Sequence, residues 1–349
     1  NLFFRRPGSD GDALPVVTGS HIDSQPTGGK FDGAYGVLAG LEVLEAAEDL
    51  GIETRRPLEF VAWTNEEGGR FQPPTMGSGV YSGAMDFETV LDAVDAGGQC
   101  VRDLLPETLS ATPQAESRKF GASMAAYIEA HIEQGPVLER ERKTIGVVTG
   151  IQGSRWFGIE VIGSEAHAGT TPYAARRDAF RAAHAMINEM QQVLRDDEDV
   201  MRFTVGRFEV MPNSPNTVPG RVFFTVDFRH PDAQILTDLG NKVEQICLSH
   251  ASGLDVSVTE TYTVPPTTFD SGVVSSIREA ASNQGFPVMD IISGALHDAK
   301  YMNDICPSGM IFVPCERGLS HNEAEAANSE DLAAGARVLA EAMVALAKD

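Results

Sequence analysis

The chain has 349 residues, and its 50 acidic and 27 basic side chains give a formal net charge of −23. A surface this acidic repels phosphate backbones, which argues against nucleic-acid binding. The length fits one large domain or two medium ones, and 42% hydrophobic residues supply enough apolar material for a core. No stretch approaches the ~20 apolar residues of a membrane span, and no secretory signal stands at the start, so we expect no membrane partner.

The cysteines also bear on the compartment. Cys100, Cys247, Cys306 and Cys315 form no CxxC pair, and a chain of this length does not need disulfides. We therefore expect reduced thiols and a cytoplasmic location. The chain enters its first strand almost directly, without a preceding helix, and we expect residues to be missing from the amino end.

The first part of the chain alternates strand and helix patterns. Pro15–Gly19 and Leu58–Trp63 are predicted strands, and residues 36–50 show a helical apolar period between them. This alternation predicts an α/β fold with a central, mostly parallel sheet. His21–Asp23 and Asn65–Glu67 follow the two strands, at the carboxyl edge where open α/β sheets bind ligands.

The middle of the chain changes to the order βαββαβ, which predicts a compact unit of one sheet and two helices. The predicted elements are the strand Trp156–Gly163, the helix Arg176–Arg195, the strands Phe203–Val210 and Arg221–Phe228, the helix Ala233–His250 and the strand Leu254–Tyr262. A Pro-containing linker follows, and the α/β pattern then returns. We expect one α/β domain made of residues 1–150 and 265–349, interrupted by an inserted domain at 151–264.

A set of histidines and carboxylates carries the main chemical signal. Imidazole and carboxylate are ligands that suit zinc, manganese, cobalt or nickel. The set is His21, Asp32, Glu66, Glu67, His131 and His321. Each member lies in a loop-like context of Gly, Ser, Asn or other polar residues, where catalytic ligands commonly sit. A single one could be a capping or surface group, but their common position at the ends of apolar elements predicts a metal site.

The segments around these residues resemble the metal motifs of the zinc-peptidase-like M20 superfamily, and within it the hydantoinase/carbamoylase branch. The segments are Gly19-Ser20-His21-Ile22-Asp23-Ser24, Gly29-Lys30-Phe31-Asp32-Gly33, Asn65-Glu66-Glu67-Gly68, His131-Ile132-Glu133-Gln134-Gly135 and Ser320-His321-Asn322. That branch includes N-carbamoyl-L-amino-acid hydrolases, β-ureidopropionases, and allantoate or ureidoglycolate amidohydrolases. The match covers nearly the whole chain, with the five motifs in order.

The resemblance implies a metallopeptidase-like catalytic domain with a lid and dimerisation insert, and two divalent ions per subunit. Asp32 would bridge both ions, His21 and His131 would complete one ligand set, and Glu67 and His321 the other. Asp23 would orient His21 through its second ring nitrogen. A histidine at position 131, where peptidase relatives usually carry a carboxylate, favours the carbamoylase branch.

The implied reaction is hydrolysis of a ureido C–N bond. The two ions would activate a water that bridges them and polarise the ureido carbonyl. Glu66 would act as general base and then protonate the leaving nitrogen. The expected substrate is an N-carbamoyl-L-amino acid, which would give the amino acid, CO2 and ammonia. Allantoate is the next candidate, then ureidoglycolate or N-carbamoyl-β-alanine. An aminoacylase or exopeptidase, or a metal-binding protein without catalysis, remains the alternative.

A second group of residues lies in the inserted domain. His167 is suited to stabilising an oxyanion, and Arg229 could hold a substrate carboxylate through two guanidinium N–H groups. Asn216 lies in the loop before the strand that ends at Arg229. The same trio serves substrate binding in the family that this chain resembles. There the histidine enters the partner subunit's site, which implies a homodimer. Gln134 and His297 are further candidates for the pocket wall. The alternative for Arg229 is a strand-end ion pair, and for Asn216 a turn.

Overall fold

The computed structural model describes residues 1–195 and 200–348, so that positions 196–199 and 349 of the predicted domains lie outside the described part. The chain divides into two compact units. One comprises Asn1–Ile151 together with the chain from Thr268 onward, and the other comprises Gln152–Thr267. Each unit has its own sheet and its own apolar core. In the described part of the chain, no helix has the length and apolar character needed to cross a membrane.

The elements are labelled in chain order. The strands are β1 (Leu2–Arg6), β2 (Val16–His21), β3 (Leu58–Trp63), β4 (Ala126–Ile132), β5 (Ile145–Ile151), β6 (Gly153–Ile162), β7 (Ala166–His167), β8 (Arg202–Thr204), β9 (Phe208–Met211), β10 (Thr217–Val218), β11 (Arg221–His230), β12 (Asp255–Val264), β13 (Thr267–Thr268), β14 (Val288–Ser293) and β15 (Ser308–Val313). The helices are α1 (Ala34–Asp49), α2 (Met76–Ser82), α3 (Phe87–Leu91), α4 (Val101–Ser110), α5 (Val137–Glu141), α6 (Ala179–Val193), α7 (Ala233–Ser249), α8 (Ser271–Asn283), α9 (Asp298–Met302) and α10 (Ser329–Lys348).

The sheet of the first unit has the order β1-β3-β2-β4-β15-β5-β13. Its central strands β3, β2, β4 and β15 run parallel to their neighbours, whereas β1 and β5 pair antiparallel with the two ends of this group. The predicted α/β fold with a mostly parallel central sheet is confirmed. Because the four parallel strands end at the same edge, residues that are far apart in the sequence meet there.

The parallel strands are held by burial of their apolar side chains. Val16, Leu58, Ile128 and Ile311 are fully buried, each on a different strand of the central group. Burial of one such side chain contributes about 1.5–3 kcal/mol to the free energy of folding. The helices α1, α8 and α10 complete this core, since α10 packs against both α1 and α8. The strand ends are therefore supported by a buried apolar core.

The strand β4 was not predicted from the sequence, and neither were β1, β5 and β14. Strand β4 contains Glu129 and His131, which are buried although they are polar. Both side chains have hydrogen-bond partners from other parts of the chain, so they can enter the sheet without an unpaired polar group. The expected loop-like context of His131 is therefore wrong, and His21 is likewise the last residue of strand β2.

The second unit has an antiparallel sheet of order β12-β6-β11-β8, with β9 also paired to β11. Alternate residues of β11 are buried in the core that it shares with α6 and α7, as the period-2 pattern of a half-buried strand requires. The predicted strand Phe203–Val210 is instead two short strands, β8 and β9. They are separated where Arg207 donates its backbone N–H to Thr225 Oγ1 rather than to a ladder carbonyl, at 3.1 Å.

Candidate metal centre

Two groups of potential ligands share the carboxylate of Asp32. The first group is His21, Asp32 and His131, and the second is Asp32, Glu67 and His321; in each group the ligand atoms lie within 4.8 Å of one another. Asp32 Oδ1 lies 3.6 Å from His21 Nε2 and 3.1 Å from His131 Nε2. Asp32 Oδ2 lies 3.3 Å from His321 Nε2, which is also 3.1 Å from Glu67 Oε2. The two oxygens of one carboxylate therefore face different groups, as a bridging ligand requires.

The two histidines of the first group are oriented by backbone carbonyls. His21 Nδ1 lies 2.9 Å from the carbonyl oxygen of Asp23, and His131 Nδ1 lies 2.9 Å from that of Ile132. Because a carbonyl oxygen only accepts, each Nδ1 carries the ring hydrogen. The Nε2 of each ring points towards Asp32 and can bind a cation once it carries no proton.

Asp23 contacts His21 through its backbone and not through its side chain. The carboxylate of Asp23 instead accepts hydrogen bonds from the backbone N–H groups of Glu66 and Glu67, both at 3.1 Å. Its Oδ1 remains 3.9 Å from His21 Nδ1. The backbone carbonyl of Asp23 thus orients the His21 imidazole, and the carboxylate of Asp23 fixes the Glu66–Glu67 turn.

The loop before α1 brings Asp32 close to His21 because Gly33 has no side chain. Gly33 has a φ of 65°, and a Cβ at this position would overlap the imidazole ring of His21. Both the backbone conformation and the close approach therefore favour glycine.

The protonation of the site reflects its crowded charges. Burial alone would raise the pKa of Asp32, but hydrogen bonds with His131 and His321 hold it far below its usual range. Burial opposes protonation of His131, yet the hydrogen bond and negative charge of Asp32 raise the pKa of this imidazole to about 9. Hydrogen bonds to Asp32 and then to Glu67 raise the pKa of His321 to about 10. Without a cation, protons on these two imidazoles balance the carboxylates.

The residues present fit a pair of divalent cations. Imidazole nitrogen and carboxylate oxygen are suitable donors for zinc and similar first-row ions. Glu67 Oε1 is buried and lacks a hydrogen-bond partner among the residues that the structure describes, although buried carboxylate oxygens are normally paired. An unpaired Oε1, on the same carboxylate as the Oε2 that faces His321, is consistent with Glu67 as a ligand to a cation.

Glu66 lies beside both ligand groups without belonging to either. Its carboxylate is buried, and Oε2 is 3.5 Å from His21 Nε2. Burial, followed by the negative charges of Asp298 and Glu129, raises the pKa of Glu66 well above its ordinary value. A buried carboxyl group whose pKa is raised above its ordinary value is suited to proton transfer.

Gln134 and His297, which were predicted to line the pocket, both contact the ligand groups. Gln134 Nε2 donates to Asp32 Oδ2 at 2.9 Å. His297 is 2% exposed, its Nε2 lies 2.9 Å from Ser293 Oγ, and its ring packs edge-on against His131 with ring centroids 4.6 Å apart. The structure thus places the Gln134 side chain on a ligand carboxylate and the His297 ring against a ligand imidazole.

The three residues predicted in the second unit do not form one cluster within the chain. His167 pairs with Thr217, next to Asn216, and the Ala168 N–H donates to the Asn216 carbonyl at 3.0 Å. Arg229 lies near the far end of β11, where its Nη2 is 2.9 Å from Asp227 Oδ2. Eight residues of extended chain separate it from the start of β11, which corresponds to about 26 Å. The expected trio is therefore divided into a pair and a separate arginine.

The hydrogen bonds of His167 define its tautomer. Its Nδ1 accepts the backbone N–H groups of Gly169 at 3.0 Å and Thr170 at 3.2 Å. The neutral ring must then carry its hydrogen on Nε2, which is exposed with the rest of the side chain. His167 is therefore arranged as a hydrogen-bond donor, consistent with the predicted contact to an oxyanion.

Sequence reasoning missed the buried acids around the ligands. Glu129 accepts from Ser20 Oγ at 2.9 Å and from the Ala299 N–H at 2.8 Å. The fully buried Asp298 accepts a short hydrogen bond from Ser78 Oγ. Glu325 is also buried and bonds to the Asp32 loop. The signal in the sequence was weak, since acidic residues are common in this chain and burial cannot be read from residue type.

The comparisons with known proteins identify the family of the chain. The model of peptidase family M20/M25/M40 matches residues 8–345. The chain belongs to this family. An N-carbamoyl-L-amino-acid amidohydrolase of Rhizobium meliloti is 42% identical, covering 99% of this chain and 83% of the relative. A protein of the same description from Paenarthrobacter aurescens is 37% identical, covering 99% and 85%. An allantoate amidohydrolase of Bacillus subtilis (strain 168) is 33% identical, covering 99% and 84%.

The solved structures that resemble this chain include members of the hydantoinase/carbamoylase branch. An amidase of the hydantoinase/carbamoylase family from Burkholderia multivorans has a TM-score of 0.93 and 47% identity, covering 99% of this chain and 84% of that chain. The resemblance to the M20 superfamily and its hydantoinase/carbamoylase branch, which the sequence motifs indicated, is confirmed. The family is metal-dependent, in keeping with the two ligand groups around Asp32.

Proposed function

We propose that this chain is a metal-dependent amidohydrolase that cleaves the ureido C–N bond of an N-carbamoyl-L-amino acid. The observation that carries the proposal is the carboxylate of Asp32 shared by two ligand groups, with Glu66 beside them. The activity named for relatives that are 42% and 37% identical supports the substrate class. The products are the amino acid, CO2 and ammonia.

Two divalent ions complete the proposed site. His21, His131 and Asp32 hold one ion, and Glu67, His321 and Asp32 hold the other. When bound, such ions lower the pKa of water and polarise a carbonyl group. Zinc, manganese, cobalt and nickel all accept this set of nitrogen and oxygen ligands, and availability decides between them.

Glu66 moves the proton in the proposed reaction. Water adds to the ureido carbonyl carbon, and Glu66 accepts the proton that this water loses. The C–N bond then breaks, and Glu66 delivers the same proton to the leaving nitrogen. The resulting carbamate decomposes to CO2 and ammonia. Burial beside Asp298 and Glu129 supports this role, because it favours the protonated form of Glu66 between the two steps.

The inserted unit is proposed to serve as lid and dimerisation domain, between the two catalytic segments. Arg229 and Asn216 bind the substrate carboxylate and its neighbouring polar groups, and His167 donates to the developing oxyanion through Nε2. Gln134 and His297 line the pocket wall. The separation of Arg229 from His167 and Asn216 along β11 supports a homodimer, in which one site uses residues from both subunits.

A cytoplasmic location is proposed on the basis of the four cysteines. All four are unpaired, as expected for a reducing compartment.

A panel of substrates tests the proposal. The metal-stripped protein is reloaded with manganese, zinc, cobalt or nickel. Ammonia release is then measured with N-carbamoyl-L-amino acids, N-carbamoyl-β-alanine, allantoate and ureidoglycolate, and amine release with an N-acetyl amino acid. Turnover of N-carbamoyl-L-amino acids that is lost in Glu66→Gln supports the proposal. Turnover of allantoate alone would move the chain to the second candidate, which a 33% identical relative represents. Turnover of only the acetylated compound would indicate an aminoacylase. No turnover of any compound by protein with two bound ions would indicate a binding protein.

A further inference from the structure

A buried carboxylate, Glu325, supports the loop that carries Asp32. Glu325 is 3% exposed. Glu325 Oε1 accepts the backbone N–H of Phe31 at 2.9 Å and that of Asp32 at 3.1 Å, and Oε2 accepts the hydroxyl of Ser320 at 3.0 Å. Three donors from two segments almost 300 residues apart therefore meet on one carboxylate. Charge-assisted hydrogen bonds of this kind are stronger than neutral ones.

The close approach of Glu325 depends on the glycine at position 29. A Cβ on Gly29 would overlap the Glu325 carboxylate. The loop can therefore close over this side chain only because residue 29 has no side chain of its own. The contact between Glu325 and the Asp32 loop is tight, and it fixes the backbone of a ligand residue.

Ser320 connects Glu325 to the ligand carboxylate itself. Its Oγ lies 2.8 Å from Asp32 Oδ2 and 3.0 Å from Glu325 Oε2, and it accepts from Gln134 Nε2 at 3.2 Å. A hydroxyl has one hydrogen, so it can donate fully to only one of the two carboxylates. If Asp32 Oδ2 were bound to a cation, the Ser320 hydroxyl would be free to donate to Glu325. The loop before His321 would then be anchored most firmly when the cation is present.

The two ligand groups depend on this link to different degrees. His21 and His131 lie on strands β2 and β4, are buried, and are oriented by backbone carbonyls. The side chain of His321 is 49% exposed, and its backbone has a φ of 52° in a loop. Glu325 lies four residues after His321 and bonds through Ser320 to the Asp32 oxygen that faces His321. Loss of the link should therefore affect the second group more than the first.

We propose that Glu325 is a positioning residue that sets the affinity of the metal site formed by Asp32, Glu67 and His321. This inference rests on the metal centre of the proposed function. Glu325 belongs to neither ligand group. It holds the Asp32 backbone and the His321 loop at the separation that the second ion requires.

Cobalt binding to Glu325→Ala tests the inference. Metal-free protein is titrated with cobalt(II), bound ions are counted by equilibrium dialysis, and the visible spectrum follows each site. We expect the second ion to bind about 10–100-fold more weakly, as for other residues that support metal ligands, while the first binds as in the wild type. Glu325→Gln keeps an oxygen for the two backbone N–H groups and should lose less affinity than Glu325→Ala. Ser320→Ala should also weaken the second ion.

The matched control is Glu323→Ala, which removes the same charge from an exposed position in the same loop. It should bind both ions as the wild type does, and the thermal unfolding of each metal-free variant shows whether it is folded. Wild-type affinity for both ions in Glu325→Ala would overturn the inference, and an equal loss at both sites would overturn its selectivity. If Glu325→Ala does not fold, wild-type affinity for the second ion in Ser320→Ala overturns the inference instead.

The failure of this inference can be separated from the failure of the proposed function. A wild-type protein that binds fewer than two ions would remove the metal centre, and the role of Glu325 with it. A wild-type protein that binds two ions and hydrolyses a ureido compound, with Glu325→Ala unchanged, would remove only the role of Glu325.

Discussion

Removal of the metal ions should leave protons in their place. Without ions, the pKa of His131 is raised to about 9 and that of His321 to about 10, mainly through their contacts with Asp32 and, for His321, with Glu67. Both imidazoles are then protonated at neutral pH. A metal ion binds only the neutral imidazole, so each of these residues must release its proton on loading. We expect about two protons from the histidines of each chain at pH 7.

Calorimetric titration measures this release. Metal-stripped protein is titrated with zinc at pH 7 in buffers of different ionisation enthalpy, and the slope of the observed heat gives the number of protons. Ionisation of water at the site can only increase the number. A release of fewer than two protons per chain would therefore refute the protonation described here. At pH values above about 10 the contribution of the histidines should disappear.

The same shifts affect the stability of the metal-free protein. For both histidines the folded pKa lies above the ordinary value of 6.5. Their contribution is thus fully present below pH 6.5 and is lost as the pH rises through about 9 and 10. For His131, which is buried, the shift corresponds to about 3 kcal/mol. The melting temperature of the metal-free protein should therefore fall between pH 7 and pH 10, and a constant value would contradict the assigned contacts.

Two further predictions concern the proposed catalytic residues. Glu66→Gln should lower kcat by about 10²–10⁴-fold without changing the number of bound ions, as measured by turnover and metal analysis, because only the proton acceptor is lost. Arg176→Ala should lower kcat by about 10–100-fold, because Arg176 holds the carbonyls of Ala168 and Thr171 in the loop of His167, and a misplaced group is costly in catalysis. The control for the second variant is Arg177→Ala, whose guanidinium binds Gly253 instead; equal losses in both would contradict the assigned role.

The sequence predicted those strands of the sheet whose buried residues are apolar. Leu58–Trp63 has the predicted bounds, and the strand predicted at Pro15–Gly19 is Val16–His21 in the structure, because short apolar runs between turn residues are typical of buried strands. Strand β4 escaped prediction since Glu129 and His131 interrupt its apolar run. Such residues enter a core only when distant segments supply partners, and a local pattern contains no information about those partners.

The ligand types could be predicted from motifs, but the contacts that hold them could not. The bond between Glu325 and the Asp32 backbone joins residues 293 positions apart. The division of His167 and Asn216 from Arg229 was also hidden, because a short sequence spacing becomes a long distance along an extended strand. In both cases the missing information was the direction of the chain between the residues.

The order of the central strands accounts for a difference between the two ligand groups. His21 ends strand β2 and pairs with Trp63 of β3, and His131 lies on β4 and pairs with Phe312 of β15, so the hydrogen-bond ladder of the sheet holds both histidines. Glu67 and His321 come from segments beyond the ends of β3 and β15, and His321 is half exposed. The ion of the second group should consequently exchange faster than that of the first. The buried link from Glu325 through Ser320 to Asp32 is the part of the fold that compensates for this difference, because it gives the loop of His321 an anchor in the protein interior.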